Sequence, residues 1–317
     1  MDLIADIGAT NSRCALVDQQ GRIVAEQAFK NTDFDAPESL LKSYLSQRRS
    51  SDQPRSAAIG VAAPILDDRV RMINIGWQFS QSELRKQLGL NRLTVVNDFA
   101  AIAFSLPHWQ EDELYRLGGG AARPLGTLAC LGPGSGLGVA SLIHSAEGWN
   151  VVAGEGGHVS LAAQTDVEAE IIAMIRHEYD HCSAERVLSG NGLVLLYQCQ
   201  AKRAKRKPAK LTPEQVTALA VEGDALASET LAMFFRFLGG VAGDLALTTG
   251  ATGGVFIAGG IVPQLLDEIA DSEFRARFES KGRYRGYMER IPTAVIVKPT
   301  PAFRGLTRLL GYRDTPT

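Results

Sequence analysis

The chain has 317 residues, a net charge of −2 and an apolar content of 45%. This length allows a large core and more than one domain. The near-neutral charge gives no electrostatic basis for binding nucleic acid or an anionic membrane, so we expect neither partner. No uninterrupted apolar stretch approaches about 18 residues, which predicts no transmembrane helix. The four cysteines form no C-x-x-C pair, and they indicate free thiols in a reducing, cytoplasmic setting.

The first half of the chain predicts strands that alternate with helices. A short strand at 3–5 runs into a tight turn at 6–11, and Gln20-Gly21 predicts a hairpin turn. After the first turn, the pattern predicts strands at 13–17 and 22–29, a helix at 37–47, a strand at 57–62, a helix at 80–88 and a strand at 93–96.

The second half repeats the strand–turn–strand pattern of the N-terminus. A strand at 127–131 runs into the glycine-rich turn 132–138, and a second strand follows directly. Further along, the pattern predicts strands at 139–143, 255–258 and 293–297, and helices at 224–249 and 303–310. Two copies of one β-sheet unit predict a duplicated α/β fold with two domains and a central cleft.

Three glycine turns follow predicted strands, after Ala5, Leu131 and Ala258. Such turns bring backbone N–H groups close to a ligand and can hold phosphates. Neither a P-loop pattern nor a G-x-G-x-x-G that opens a helix is present. Asp6, at the start of the first turn, is suited to hold Mg²⁺ through water, or to hydrogen-bond its own turn.

Polar residues follow two further strands. Asn97 and Asp98 end the strand at 93–96, where Asp98 is either functional or the N-cap of the next helix. Glu155 and His158 flank a glycine pair in a loop, and this arrangement fits a small polar ligand better than packing.

The ordered set of motifs resembles the bacterial glucokinase family, within the superfamily of sugar kinases, actin and heat-shock ATPases. The match runs from about 3 to 297, and each motif alone is loose. The segments that carry it are D-I-G-A-T-N at 6–11, V-N-D-F at 96–99, G-P-G-S-G-L-G at 132–138, G-E-G-G-H at 154–158, S-A-E-R-V-L-S-G at 183–190, G-G-V-F-I-A-G-G at 253–260, and R-F-E-S-K-G-R at 277–283 followed by Ile291-Pro292.

The resemblance implies a duplicated actin-like ATPase (ribonuclease H-like) fold. It implies a small domain at 1–108, completed by 299–317, and a large domain at 109–298. The implied activity is transfer of the γ-phosphoryl group of Mg-ATP to the 6-hydroxyl of glucose, the entry to glycolysis. A broader-specificity hexokinase and a non-catalytic sugar sensor on the same fold are alternatives, and a homodimer stays open.

The resemblance also implies a role for each matched residue. Asp98 is the general base, and Asp6 holds Mg²⁺ through water. The sugar contacts are Asn97, Glu155, His158 and Glu185. The ATP contacts are Ala5, Asp6, Ile7, Gly8, Ala9, Thr10, Asn11, Gly134, Ser135, Gly136, Gly138, Gly259 and Gly260. The chain departs from the family where Ala9 replaces a glycine and in the segment 300–306, to which we assign no ligand.

One short motif indicates a different function from that of a sugar kinase. Residues 177–181 read H-E-Y-D-H, which matches the H-E-x-x-H signature of zinc proteases. On a helix, His177 and His181 would share one face. The motif is short, Asp180 stands where such helices are normally apolar, and no third ligand is evident, so we favour a structural role.

Overall fold

The structure contains two mixed sheets, each with three parallel strands. The computed structural model describes residues 1–49 and 52–312; the tail 313–317, which the prediction for the small domain includes, lies outside this description. The chain divides into two units, one of residues 1–110, 140–154 and 298–317, and one of residues 111–139 and 155–297. The strands are β1 (Asp2–Ile7), β2 (Asn11–Val17), β3 (Ile23–Lys30), β4 (Ser56–Val61), β5 (Arg69–Met72), β6 (Trp77–Ser80), β7 (Arg92–Asn97), β8 (Leu114–Gly118), β9 (Leu128–Pro133), β10 (Leu137–Ser145), β11 (Gly148–Gly154), β12 (Gly254–Ile257) and β13 (Thr293–Ile296).

The helices complete a mixed α/β architecture, as the sequence predicts. The helices are α1 (Pro37–Ser46), α2 (Gln81–Gln87), α3 (Asp98–Ser105), α4 (Asp166–Tyr179), α5 (Ala184–Val187), α6 (Gly190–Arg203), α7 (Pro213–Val221), α8 (Ala225–Thr249), α9 (Leu266–Ala270), α10 (Phe274–Glu279), α11 (Arg285–Met288) and α12 (Pro301–Leu309). The predicted strands and helices are confirmed to within about two residues of their ends, which is the usual uncertainty of boundaries.

The sheet of the first unit has the order β3-β2-β1-β4-β7. Strand β1 pairs antiparallel with β2 and parallel with β4, and β4 pairs parallel with β7. Alternate residues of β1 (Leu3, Ala5 and Ile7) join one core cluster with Leu40 and Tyr44 of α1. The parallel strands β1, β4 and β7 therefore end at one edge of the sheet.

The second sheet has the order β11-β10-β9-β12-β13-β8, and its first five strands repeat the order of the first sheet. Strand β12 pairs parallel with β9 and with β13. The turn at 134–136 leads into strand β10 and not into a helix, as the sequence predicts. Residues 140–154 of the β10–β11 hairpin belong to the first unit, although the predicted boundaries put them in the large domain.

Helix α8 is the central core helix of the second unit. Its glycines allow close contact with α10, because a Cβ at Gly239 would lie 2.2 Å from the Phe274 carbonyl oxygen and one at Gly243 would lie 2.6 Å from that of Phe278. By length and composition the helix could cross a membrane, because an 18-residue window within it has a mean hydropathy of 1.4. The sequence predicted no transmembrane helix, since no continuous apolar run is present. Because 67% of this window is buried inside the protein, its composition is that of a core helix.

Gly305 of α12 sets the approach of α12 to α3 in the first unit. A Cβ added there would lie 1.7 Å from the Ala101 carbonyl oxygen, which belongs to helical backbone and cannot rotate away. We expect Gly305→Ala to destabilise the protein by about 1–3 kcal/mol or more, because the two helices must separate. The melting temperature, measured by calorimetry, checks this.

The matched control is Gly286→Ala in α11, where an added Cβ has no atom within 4 Å. That variant should keep or raise the melting temperature, because alanine favours the helix by up to about 1 kcal/mol. Equal melting temperatures for the two variants would contradict the close packing of α12 on α3.

Candidate functional site

The first predicted phosphate turn joins β1 to β2. The Gly8 N–H donates to the Asn11 carbonyl at 3.1 Å and closes the turn. The φ of Ala9 is not positive, so the methyl group that replaces the family's glycine is compatible with this backbone. Thr10 and Asn11 are exposed at the tip. Ala5 and Ile7 are fully buried in β1, so only their backbone is available to a ligand.

Two buried side chains that the sequence analysis missed support this turn. Asn31, at the end of β3, donates its amide N–H to the Gly8 carbonyl at 2.8 Å. The Ser12 hydroxyl donates to the Asn31 side-chain oxygen at 2.6 Å. Asn31 stands 23 positions beyond Gly8, and no short-range pattern links the two residues.

The Asp6 carboxylate is half-buried at the end of β1. Burial raises its pKa to about 6, although the positive charge of Arg13 partly opposes the shift. Within residues 1–49 and 52–312, no hydrogen bond to this carboxylate is found. A desolvated carboxylate without a donor fits a Mg²⁺ ion held through water, since Mg²⁺ uses one or two carboxylates besides substrate phosphates.

Asn97 and Asp98 lie at the end of β7, on the same sheet edge as Asp6. The Asn97 side chain is the N-cap of α3, because its Oδ1 accepts from the N–H groups of Phe99 at 2.9 Å and Ala100 at 3.2 Å. The capping alternative for Asp98 is therefore wrong. Asp98 is the first helical residue and half-buried, and its Oδ1 accepts from the Phe99 N–H at 2.9 Å.

Gly60 of β4 lies between Asp6 and Asp98 at this edge. A Cβ at Gly60 would lie 3.5 Å from the Asp98 Cα atom and 3.8 Å from Asp6 Oδ1. Asp6 and Asp98 thus flank one glycine at the carboxyl ends of parallel strands, which is where α/β sheets bind ligands.

In the second unit, the second predicted phosphate turn is held by the segment that carries Glu185. The Gly134 N–H donates to the Gly136 carbonyl at 2.8 Å, and the Gly190 N–H donates to the Gly134 carbonyl at 2.8 Å. The Leu137 N–H donates to Glu185 Oε2 at 2.9 Å. A Cβ at Gly136 would lie 2.6 Å from this same oxygen, so only glycine leaves room for the carboxylate.

Two of the predicted sugar contacts come together here. The Nδ1 atom of His158 lies 4.0 Å from Glu185 Oε1, and both side chains are accessible to solvent. Glu155 is exposed at the start of the short 3-10 turn Gly156–His158. Gly157 fixes this turn against β10, because a Cβ there would lie 2.1 Å from the Leu137 carbonyl oxygen.

The predicted adenosine motif lies beside the second phosphate turn. Gly259 has a φ of 83°, and a Cβ there would lie 2.4 Å from the Pro133 carbonyl oxygen. A Cβ at Gly134 would lie 3.8 Å from the Gly260 nitrogen. The ends of the parallel strands β9 and β12 therefore form one glycine-lined edge, on which Ser135 is exposed and Gly138 is half-buried.

The H-E-x-x-H pattern does not form the two-histidine helix face that a zinc site of this type needs. Helix α4 ends at Tyr179, and Asp180 has a φ of 64°, so His181 lies beyond the helix. His181 Nε2 lies 3.0 Å from Ser160 Oγ. Among the described residues, no group of three His, Cys, Asp or Glu side chains is placed to hold a metal ion.

Residues 3–311 match the sequence model of the family described as Glucokinase. The chain belongs to the glucokinase family. The glucokinase of Paramagnetospirillum magneticum is 45% identical over 98% of this chain and 97% of its own. That of Aromatoleum aromaticum is 46% identical over 97% of this chain and 94% of its own.

Solved structures place the fold among sugar kinases. A glucokinase from an Antarctic psychrotroph is 35% identical and covers 98% of both chains, with a TM-score of 0.84. A ROK family glucokinase from Streptomyces griseus, solved in complex with glucose and AMPPNP, is 19% identical to this chain. The match covers 97% of this chain and 98% of the other, with a TM-score of 0.66. At this identity the similarity concerns the fold alone.

The raised pKa of Asp6 predicts a stability gain when its charge is removed. Because the pKa of about 6 lies above the ordinary value of 3.8, ionised Asp6 destabilises the fold increasingly as the pH rises from 4 through 6. We expect Asp6→Asn to stabilise the protein at pH 8 by up to about 3 kcal/mol and to have little effect at pH 4. Melting temperatures of variant and wild type at both pH values measure this.

Asp18→Asn is the control, because it should change the stability at pH 8 in the opposite direction. Hydrogen bonds from the backbone and side chain of Arg22 and from Gln20 lower the pKa of Asp18 despite its partial burial, so its ionised form stabilises the fold above the ordinary pKa. Asp18→Asn should lower the melting temperature at pH 8. An Asp6→Asn effect that does not change between pH 4 and pH 8 would contradict the electrostatic interpretation.

Proposed function

We propose that the protein transfers the γ-phosphoryl group of Mg-ATP to the 6-hydroxyl of glucose and releases glucose 6-phosphate. One observation carries this proposal most directly. The Glu185 carboxylate holds the second phosphate turn through Leu137 with one oxygen and faces His158 with the other. A predicted sugar contact thus lies directly beside a predicted phosphate turn, and phosphoryl transfer needs the acceptor close to the phosphate.

The sugar-binding residues are Asn97, Glu155, His158 and Glu185. Carboxylates accept hydrogen bonds from sugar hydroxyls, and a histidine or an amide can both donate and accept. Glu155 and His158 are exposed and Glu185 is partly so, which leaves their polar atoms available to a ligand. A sugar that lacks a contacted hydroxyl leaves a polar group unpaired, and this penalty is the basis of selectivity.

Asp98 is the proposed general base. A sugar hydroxyl attacks poorly while it keeps its proton, and a carboxylate within hydrogen-bonding reach accepts that proton as the new O–P bond forms. Asn97 supplies the N-cap of α3, so the capping role does not account for Asp98. The Asp98 Cα atom lies beside Gly60, at the sheet edge that also carries Asp6, and this position supports the proposal.

The nucleotide phosphates are proposed to bind the turn 5–11 and the turn residues Gly134, Ser135, Gly136 and Gly138, with adenosine at Gly259 and Gly260. Asp6 would hold Mg²⁺ through water, and the ion when bound supplies neutralisation of the phosphate charge. The chain itself supplies positioning and backbone N–H donors, which account for most catalysis of phosphoryl transfer.

We further propose that the fold is a duplicated actin-like ATPase fold whose two domains enclose a central cleft. The support is the shared strand order of the two sheets, β3-β2-β1 and β11-β10-β9, in which a glycine turn follows β1 and β9. Asp6 and Asp98 in the first unit, and Gly134 and Gly259 in the second, lie at the carboxyl ends of parallel strands. A crystal structure with glucose and a non-hydrolysable nucleotide tests the cleft.

The wild-type protein should convert glucose and Mg-ATP to glucose 6-phosphate in a coupled assay. Mannose, fructose and deoxyglucoses should be poorer substrates, by about 5- to 150-fold in kcat/KM for each lost contact, because a polar group of the site is then left unpaired. Comparable kcat/KM values for several hexoses would favour a broader hexokinase. Glucose binding in calorimetry without turnover of any sugar would favour a non-catalytic sensor.

Asp98→Asn tests the base directly. The variant keeps the shape of the side chain and removes the group that accepts the proton, so kcat should fall about 10²–10⁴-fold while the Kd for glucose changes modestly. Stability should fall only slightly, because an acidic side chain in the first helical turn contributes about 0.3–1 kcal/mol.

Asp166→Asn is the matched control, since Asp166 is the first residue of α4 behind its own N-cap, Thr165. It should show the same small loss of melting temperature with unchanged kcat. A kcat of Asp98→Asn near that of the wild type would exclude Asp98 as the base and redirect attention to Glu155 and Glu185.

A further inference from the structure

Asn31 connects the end of β3 to the first phosphate turn. Its side chain is 5% exposed, and every polar group that it brings to this region has a partner. The amide N–H donates to the Gly8 carbonyl at 2.8 Å, and the amide oxygen accepts from Ser12 at 2.6 Å. Its backbone N–H donates to the Thr10 carbonyl at 3.1 Å, and its own carbonyl accepts from Phe34 at 3.1 Å.

The contact with Gly8 determines the direction of one N–H group. The Gly8 carbonyl and the Ala9 N–H belong to the same planar trans peptide, so they point in opposite directions. When Asn31 holds the carbonyl on the β3 side of the turn, the Ala9 N–H must point away from β3. In the described part of the chain, no acceptor for the N–H groups of Ala9 and Thr10 is found.

An N–H group that is held in place and lacks an acceptor is suited to bind an anion. Successive backbone N–H groups that converge in a turn bind phosphate oxygens, and their value depends on being oriented before the ligand arrives. The Gly8 carbonyl can only accept, so it requires the amide N–H group of Asn31, and the amide oxygen then accepts from the Ser12 hydroxyl.

We infer that Asn31 is a positioning residue for the nucleotide phosphates, which acts by orienting the Gly8–Ala9 peptide. The inference rests on the proposed function, because that proposal assigns the turn to ATP. Asn31 itself touches no substrate in this arrangement. Its effect should therefore appear in nucleotide binding and leave glucose binding nearly unchanged.

Asn31→Ala removes the donor to Gly8 and keeps the backbone bond to Thr10. We expect the KM for ATP and the Kd for Mg-ADP, measured by calorimetry, to rise about tenfold, the value of one hydrogen bond to a charged oxygen. The KM for glucose should stay within about twofold of that of the wild type, because the glucose contacts do not involve this turn.

Tyr44→Phe is the control for stability. Tyr44 is fully buried in the same unit, and its hydroxyl donates to the Ala25 carbonyl at 2.8 Å, far from the turn in sequence and function. It should lower the melting temperature and leave the constants for ATP and glucose unchanged. If Asn31→Ala affects ATP no more than Tyr44→Phe does, Asn31 is only a structural residue and the inference is wrong.

If Asn31→Ala folds poorly, Ser12→Ala tests the same inference. It removes the hydrogen bond that holds the amide oxygen of Asn31 and leaves the donor to Gly8 in place, so a few-fold rise of the Kd for Mg-ADP is expected in the same direction. An unchanged Kd would count against the inference. A wild-type protein that binds no Mg-ADP would instead refute the proposed function, so the two failures are distinguishable.

Discussion

Parallel strands that are neighbours in a sheet end at the same edge, and the candidate site depends on this constraint. It brings Asp6 and Asp98 to either side of Gly60, although 92 positions separate them in the chain. In the second unit it brings the turn after β9 next to Gly259 and Gly260 after β12. Side chains at strand ends need no long loops to meet, because the sheet itself sets their spacing.

Three glycines of the second unit share one physical reason. At Gly136, Gly157 and Gly259, an added Cβ would overlap an atom of a neighbouring segment. Each glycine therefore lets another backbone or the Glu185 carboxylate approach closely. The glycine-rich motifs of the chain thus serve packing at the site as well as any contact with phosphate.

Several residues around the candidate site have a structural task, either in place of a proposed contact with a ligand or in addition to one. Asn97 caps α3, while Asn31 and Ser12 hold the first turn. Glu185 combines both tasks, because one carboxylate oxygen accepts from the Leu137 N–H and the other faces His158. In the second unit, a change in the position of the Glu185 carboxylate would therefore also affect the turn 134–137.

The sequence by itself determined the α/β class, most of the strands, a minority of the helices, and the family, because these depend on local periodicity, on glycine punctuation and on motifs in a fixed order. It left open whether Asp98 is a cap and whether His177 and His181 share a helix face. Only the tertiary structure decided these points, since a cap depends on which side chain reaches the free N–H groups and a helix end depends on one φ angle at Asp180. Asn31 could not be found from sequence for the same reason: its partner Gly8 becomes a neighbour only when β3 has paired with β2.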